Sequence, residues 1–452
     1  MAKSRTRFIC EQCGAESAQW HGKCPACAEW NTLVEYRLPQ TSAAGGRRAA
    51  GAAPVSAQEA ARPPEARRET GVGEFDRVLG GGLVPSVLVL LAGDPGIGKS
   101  TLLLQAANGF AAAHGTCLYV SGEESISQVG LRTRRLQAVC NDLLLLAEND
   151  VEAVALEVGK AAPQLLVVDS IQAMSSPEVA APPGSVSQVR DCAARLLRLA
   201  KDQGVPTILV GHVTKEGVLA GPRLLEHMVD AVLSLEGERH GEYRILRSTK
   251  NRYGSTDELG LFQMTAEGLV GIPDASAALL AGRRSGTPGS VIVPALEGSR
   301  PLLLEIQALA TGATTGGSPR RSVTGCDYAR ACLIMAVLEK RAGIPLASAD
   351  VFVNVPGGVR VSEPAADLAV ALALVSSHRE MPIAPDMACV GEVGLTGEIR
   401  SVPQLGRRLG ELARQGFRRC LAPRQAESRT SANIELIPVD SLLEAVEAAL
   451  AR

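Results

Sequence analysis

The segment Gly93-Asp94-Pro95-Gly96-Ile97-Gly98-Lys99-Ser100-Thr101 commits the middle of this chain to one local geometry. It fits the pattern G-x-x-x-x-G-K-[ST], and its flanks fit as well. The apolar run Val87-Leu88-Val89-Leu90-Leu91-Ala92 enters it as a buried strand would, and Leu102-Leu103-Leu104-Gln105-Ala106-Ala107 leaves it with helix-forming residues. A strand, a glycine loop and a helix in that order aim backbone N–H groups and the positive helix end at one point, where phosphate oxygens bind. Residues 93–101 are therefore expected to cradle a nucleoside triphosphate such as ATP. Lys99 would reach the β- and γ-phosphates, and Ser100 would hold Mg²⁺.

Hydrolysis at such a loop needs a second carboxylate for the metal and a group that activates water. Asp169 ends the apolar run Leu165-Leu166-Val167-Val168 and is the expected metal carboxylate. Glu123 follows the strand-like Cys117–Ser121 and is the expected base, with Glu124 a solvated or structural neighbour. His212 and Thr214 close the run Thr207-Ile208-Leu209-Val210-Gly211, either as γ-phosphate sensors or as satisfied polar residues at a strand end. Lys250-Asn251-Arg252-Tyr253-Gly254 follows an expected hairpin, Asp230 to Glu236 with Glu242 to Lys250, and sets two cations around one Asn. In ring-shaped ATPases such cations complete the neighbouring subunit's site, where an arginine contributes about 10³–10⁵ in rate. The alternative is a solvated basic turn.

Strands alternating with helical stretches from 69 to 273 predict a parallel sheet covered on both faces. Four of the 11 cysteines, Cys10, Cys13, Cys24 and Cys27, form C-x₂-C-x₁₀-C-x₂-C within residues 1–38. That spacing offers four thiolates to one tetrahedral, structural Zn²⁺. The two tryptophans, Trp20 and Trp30, flank the second pair and are expected to cover the site. Residues 39–68, rich in Ala, Pro, Gly and Arg without apolar periodicity, are expected to be a flexible linker. A second αβ domain is expected over 274–452. The formal net charge of −2 gives no global attraction to nucleic acid, so DNA contact would need local basic patches. No apolar run approaches the roughly 20 residues of a membrane span, and the N-terminus leads into cysteines rather than a signal core, so a cytoplasmic protein without a membrane partner is expected.

On the cysteine quartet, GDPGIGKST, KNRYG and the C-terminal domain, the chain resembles the bacterial RadA (Sms) family of recombination and repair ATPases. KNRYG differs from that family's KNRFG by Tyr253, which keeps the ring. SGEES at 121–125 is similar to the strand-end motif that supplies the catalytic Glu in the RecA-like superfamily. The resemblance implies an α/β architecture: a four-Cys zinc finger, a RecA-like P-loop ATPase core with a parallel sheet, and a Lon-protease-like α+β domain. It also implies a DNA-dependent ATPase, assembled as a homo-hexamer and promoting branch migration on single-stranded and branched DNA alongside the RecA recombinase. Lys250 and Arg252 would then act in trans. The competing expectation is a regulatory RecA-like ATP-binding protein without DNA translocation.

Residues 290–452 carry the likeness to the Lon proteolytic domain, whose chemistry needs a Ser and a Lys. Ala365 stands where the Ser belongs, in Glu363-Pro364-Ala365-Ala366-Asp367. Gly406 stands where the Lys belongs, seven residues after Gly397-Glu398-Ile399. Neither side chain can do covalent catalysis. Ser362 is nearby without an evident base. A disarmed domain serving assembly and DNA contact is expected, with Arg283, Arg284, Arg320, Arg321, Lys340 and Arg341 as candidate contacts or as solvated charges.

Overall fold

A computed structural model describes residues 6–10, 16–26, 28–37, 56, 66–212, 224–237, 242–312, 319–424 and 433–450. Cys13, Cys27, Thr214 and most of the expected linker lie outside them. The chain divides into two compact units, Met1–Glu236 with Arg244–Gly271, and Gly237–Tyr243 with Ile272–Arg452.

The N-terminal module has β1 (Thr6–Cys10), β2 (Glu16–Ser17) and β3 (Leu33–Arg37), ordered β2-β1-β3 and antiparallel. Cys10 faces Leu33 across β1 and β3. Its buried cluster is Cys10, Cys24 and Leu33, with Phe8 packed on it.

The rest of the first unit runs α1 (Gly73–Leu79), β4 (Leu88–Gly93), α2 (Lys99–His114), β5 (Cys117–Ser121), α3 (Ile126–Arg135), β6 (Leu143–Ala147), α4 (Val151–Ala161) and β7 (Leu165–Asp169). It continues with α5 (Val186–Gln203), β8 (Thr207–Val210), α6 (Leu224–Met228), β9 (Ala231–Glu236), β10 (Tyr243–Asn251), β11 (Leu259–Thr265) and β12 (Gly268–Gly271). These strands make a nine-stranded sheet ordered β12-β11-β10-β9-β4-β8-β7-β5-β6. From β9 to β6 it is parallel; β9 with β10, and β11 with β12, pair antiparallel.

Unbroken apolar runs form these strands because both faces are covered. Val89, Leu91, Tyr119 and Val167 bury into one core with Leu103 and Phe110 of α2. Leu88, Leu90, Val120 and Val168 bury into the other with Val154 of α4 and Leu196 of α5. Side chains capture the helix starts: Ser125 and Gln128 form a capping box on α3, and Ser185 caps α5. One strand, β8, separates β4 from β7, so the ends of β4, β5, β7 and β8 open on one crevice. Ligands of open α/β sheets bind outside such carboxyl ends.

The second unit holds α7 (Ala275–Leu280), β13 (Ser290–Glu297), β14 (Arg300–Gly312), β15 (Arg321–Thr324), α8 (Tyr328–Ala342), β16 (Ala349–Asn354) and α9 (Asp367–His378). It ends with β17 (Met387–Cys389), β18 (Glu392–Val393), β19 (Ile399–Arg400), α10 (Leu405–Arg414), β20 (Arg419–Pro423), β21 (Glu435–Val439) and α11 (Leu442–Leu450). A seven-stranded sheet, β15-β16-β14-β13-β17-β20-β21, mixes antiparallel and parallel pairs. Helix α9 is buried from Asp367 to Ser377, which explains its nearly all-apolar sequence. Among the described residues no helix is long and apolar enough to cross a membrane.

Candidate nucleotide site

The phosphate loop leaves β4 at Gly93, where the backbone runs against Leu235 of β9. A Cβ there would meet Leu235 O at 2.5 Å, so only glycine fits. Gly98 precedes α2 at φ 118° and caps it without a side-chain hydrogen bond. The first N–H groups of α2 therefore stay unpaired by any cap and available to an anion.

Lys99 is buried to 4 % exposure. Its Nζ donates to Gly93 O at 2.8 Å and Asp94 O at 3.0 Å. Burial pushes its pKa down, while Asp169, Asp94 and Glu123 pull it back up. Lys99, Ser100 and Thr101 share one cleft with Glu123, Asp169 and His212.

Asp169 ends β7 opposite Ser121 of β5, and the Asp169–Ser170 peptide is cis. Tyr119 donates its hydroxyl to Asp169 Oδ2 at 2.5 Å. Burial, then the Asp169 charge, pushes the Tyr119 pKa well up, so the phenol stays a donor. Ser170 Oγ donates to Glu123 Oε1 at 2.5 Å. The His212 Nε2 stands 3.7 Å from the same oxygen. Burial first, then Lys99, lowers the His212 pKa against Glu123 and Asp169, leaving a neutral imidazole at neutral pH. Its buried Nδ1 has no hydrogen-bond partner among the described residues. Glu124 lines the same cleft and accepts from Arg132 Nη2 at 2.7 Å.

Arg132 and Arg135, absent from the expected site residues, line the cleft from α3. Their spacing of three on a helix capped at Ser125 was the available signal. The cleft thus brings together a glycine-rich loop with a buried lysine, two carboxylates, an imidazole and further cations. Ser100 and Asp169, an oxygen-only pair, suit Mg²⁺, which keeps most of its waters and takes few protein ligands.

The KNRYG residues lie elsewhere. Asn251 of β10 pairs Ala231 of β9, which pairs Val89 near the start of β4; Gly93 pairs Leu235. Four residues of strand separate these levels, about 13 Å at ~3.3 Å per residue. The turn therefore sits at the end of the sheet away from its own phosphate loop. Lys250 Nζ donates to Glu226 O at 2.6 Å and Val229 O at 2.7 Å. Arg252 reaches Asp230 Oδ1 at 3.3 Å, and its side chain is 56 % exposed. Buried Asp230 also accepts from Lys201 at 2.9 Å and from Leu88 N–H at 3.0 Å. Its burial opposes ionisation, but Lys201, the Leu88 N–H and Arg252 hold its pKa below the usual value.

In the cysteine module, Ala26 N–H donates to Cys24 Sγ at 3.4 Å, the N–H···S bond of a metal knuckle. Cys10 and Cys24 are buried together, as two ligands of one tetrahedral Zn²⁺ must be. The tryptophans do not cover them. Trp20 is 55 % and Trp30 68 % exposed. Both indoles lie beside Gly22, where a Cβ would meet each at 3.7 Å, and the Asn31 N–H to Gly22 O bond closes the turn between them.

In the second unit Ala365 is buried in the turn Pro364–Ala366, and Gly406 lies in α10. Ser362 lines a cavity beside Arg330 and Asp367. Arg330 Nε forks the Asp367 carboxylate at 2.9 and 3.1 Å, and Arg408 forks Glu363 at 2.8 and 2.6 Å. Arg284, Arg320, Arg321, Lys340 and Arg341 are exposed. Arg283 is instead half-buried against the Phe417 ring.

Comparison with known proteins matches residues 8–35 to a rubredoxin metal binding domain, 59–218 to an AAA domain and 329–426 to subunit ChlI of Mg-chelatase. The DNA repair protein RadA of Halalkalibacterium halodurans is 47% identical over 460 residues, covering 100% of both chains. That of Bacillus subtilis is 47% identical over 461 residues with the same coverage. That of Streptococcus pyogenes serotype M6 is 48% identical over 432 residues, 94% of each chain.

Proposed function

The chain belongs to the family of the DNA repair protein RadA, and on that premise we propose that it is a DNA-dependent ATPase of homologous recombination and repair. Its subunits form a homo-hexameric ring that drives branch migration on single-stranded and branched DNA, alongside the RecA recombinase in the cytoplasm. In each site residues 93–101 cradle ATP, Ser100 and Asp169 hold Mg²⁺, and Glu123 takes the proton of the attacking water. Lys250 and Arg252 arrive from the neighbouring subunit. One observation carries this reading. Lys250 and Arg252 stand at the far end of the sheet from their own phosphate loop, so they serve an ATP site only in another copy. Cys10, Cys13, Cys24 and Cys27 hold structural Zn²⁺, whose binding supplies about 10–16 kcal/mol to a module too small for its own core. The work divides over residues 1–38, a linker at 39–68, the motor at 69–273 and the domain at 274–452. That last domain does no proteolysis, since Ala365 has no nucleophile and Gly406 no amine.

ATP turnover measured with and without single-stranded DNA tests the reading. A severalfold rise with DNA is expected; a rate indifferent to DNA would favour the ATP-sensing regulator instead. Because the contacts are mainly to phosphate, log affinity for single strands should fall with log salt at about −0.7 per contact. A flat titration contradicts phosphate-led binding.

A further inference from the structure

Tyr119 sits in the middle of an apolar strand and is 1 % exposed. A leucine or phenylalanine would fill that space, yet the side chain carries a hydroxyl, and a buried hydroxyl without a partner is costly. Its partner is Asp169. Register explains the reach: Tyr119 lies beside Val167 on the neighbouring parallel strand, and Asp169 is two residues further along. Two residues of strand advance about 6.6 Å, a distance a phenol ring spans. Tyr119 and Val167 belong to the same core, so the ring approaches Asp169 from the packed side of the sheet. Asp169 itself lines the cleft that contains Lys99 and Ser100.

We propose that Tyr119 is a positioning residue: its hydroxyl holds Asp169 Oδ2 and so turns Oδ1 toward the divalent cation of the bound nucleotide. The proposal rests on Asp169 being the metal carboxylate. A terminal carboxylate torsion is broad and roughly two-fold. Left to itself, Asp169 would sample orientations that present neither oxygen to the metal. One short O–H···O bond from a ring fixed by packing removes that freedom. The hydroxyl also gives that oxygen a partner that does not compete for the metal. Ser170 does the corresponding service for Glu123 from the next position in the chain.

The test is Tyr119→Phe, which keeps the ring in the core, with Asp169→Asn as reference. A fluorescent ATP analogue is titrated into the full-length protein in EDTA and again across Mg²⁺ concentrations. In EDTA, Tyr119→Phe should bind like the unaltered protein, which also reports its folded, competent fraction. The Mg²⁺ concentration that gives half the metal-dependent tightening should rise about tenfold, the lower end of what loss of a partner to a metal ligand costs. Asp169→Asn should lose most of the metal-dependent tightening. If Asp169→Asn loses it while Tyr119→Phe keeps the unaltered midpoint, the positioning role is overturned and the metal site stands. If Asp169→Asn keeps the full Mg²⁺ response, the metal assignment falls and takes this proposal with it. Equal weakening of Tyr119→Phe with and without Mg²⁺ identifies a packing role alone and also overturns the proposal.

Discussion

Replacing Lys99 by alanine should abolish ATP turnover, with a loss of at least about 10²–10³-fold, the cost of removing one preorganised donor from developing negative charge. Lys99 is the cation that the phosphate loop itself supplies, and its ammonium is already inside the loop, donating to Gly93 O and Asp94 O. ATP binding would exchange those two carbonyls for phosphate oxygens, so the side chain would need little reorganisation to act. Alanine leaves both carbonyls beside an open cleft where water can reach them, so the fold should survive. Phosphate release under saturating ATP, with circular dichroism to confirm the fold, checks the prediction. Undiminished hydrolysis would sink the site assignment.

Arg252→Ala should lower turnover nearly as far, by about 10³ or more if Arg252 acts as an arginine finger, while ATP affinity stays close to that of the unaltered protein. The split follows from geometry. Arg252 is remote from its own loop, so its loss leaves the cradle intact and removes charge stabilisation only where a neighbour delivers it. Asp230 retains Lys201 and the Leu88 N–H, so the local cost is small. Mixing the Lys99→Ala and Arg252→Ala proteins should restore part of the activity, because some interfaces then pair an intact loop with an intact arginine. Unchanged turnover in Arg252→Ala would make KNRYG a solvated turn.

Much of this was legible along the chain. Gly93 to Thr101 with its flanks dictated strand, loop and helix, and Asp169 and Glu123 could be placed because parallel strands end at one edge. The hairpin from Asp230 to Lys250 was legible too, as β9 and β10. Its consequence was not. That KNRYG lies at the far end of the sheet depends on β9 pairing parallel to β4 across more than 130 residues of chain. No local pattern encodes that register. Tyr119 hid inside an apolar run, where its ring satisfies the core and its hydroxyl leaves no periodic trace. Arg132 and Arg135 sit in the basic last turn of α3, and nothing local in the sequence shows that this turn reaches the cleft. The tryptophans misled for a physical reason. Large apolar side chains usually bury, but among the described residues the module's core is Cys10, Cys24 and Leu33 with Phe8, too small to enclose two indoles.

Asp230 ties two parts of the sheet together. Its carboxylate grips the first N–H of β4 and, at the same time, the guanidinium of Arg252. The far tip of β4 is Gly93, the doorway to the phosphate loop. In the proposed ring, what a subunit offers its neighbour and what it uses for itself would thus be fastened to opposite ends of one strand. A pull on the arginine at one interface of that proposed ring would then load the strand that carries the next site, a way for a ring without a central axle to keep its stations in step.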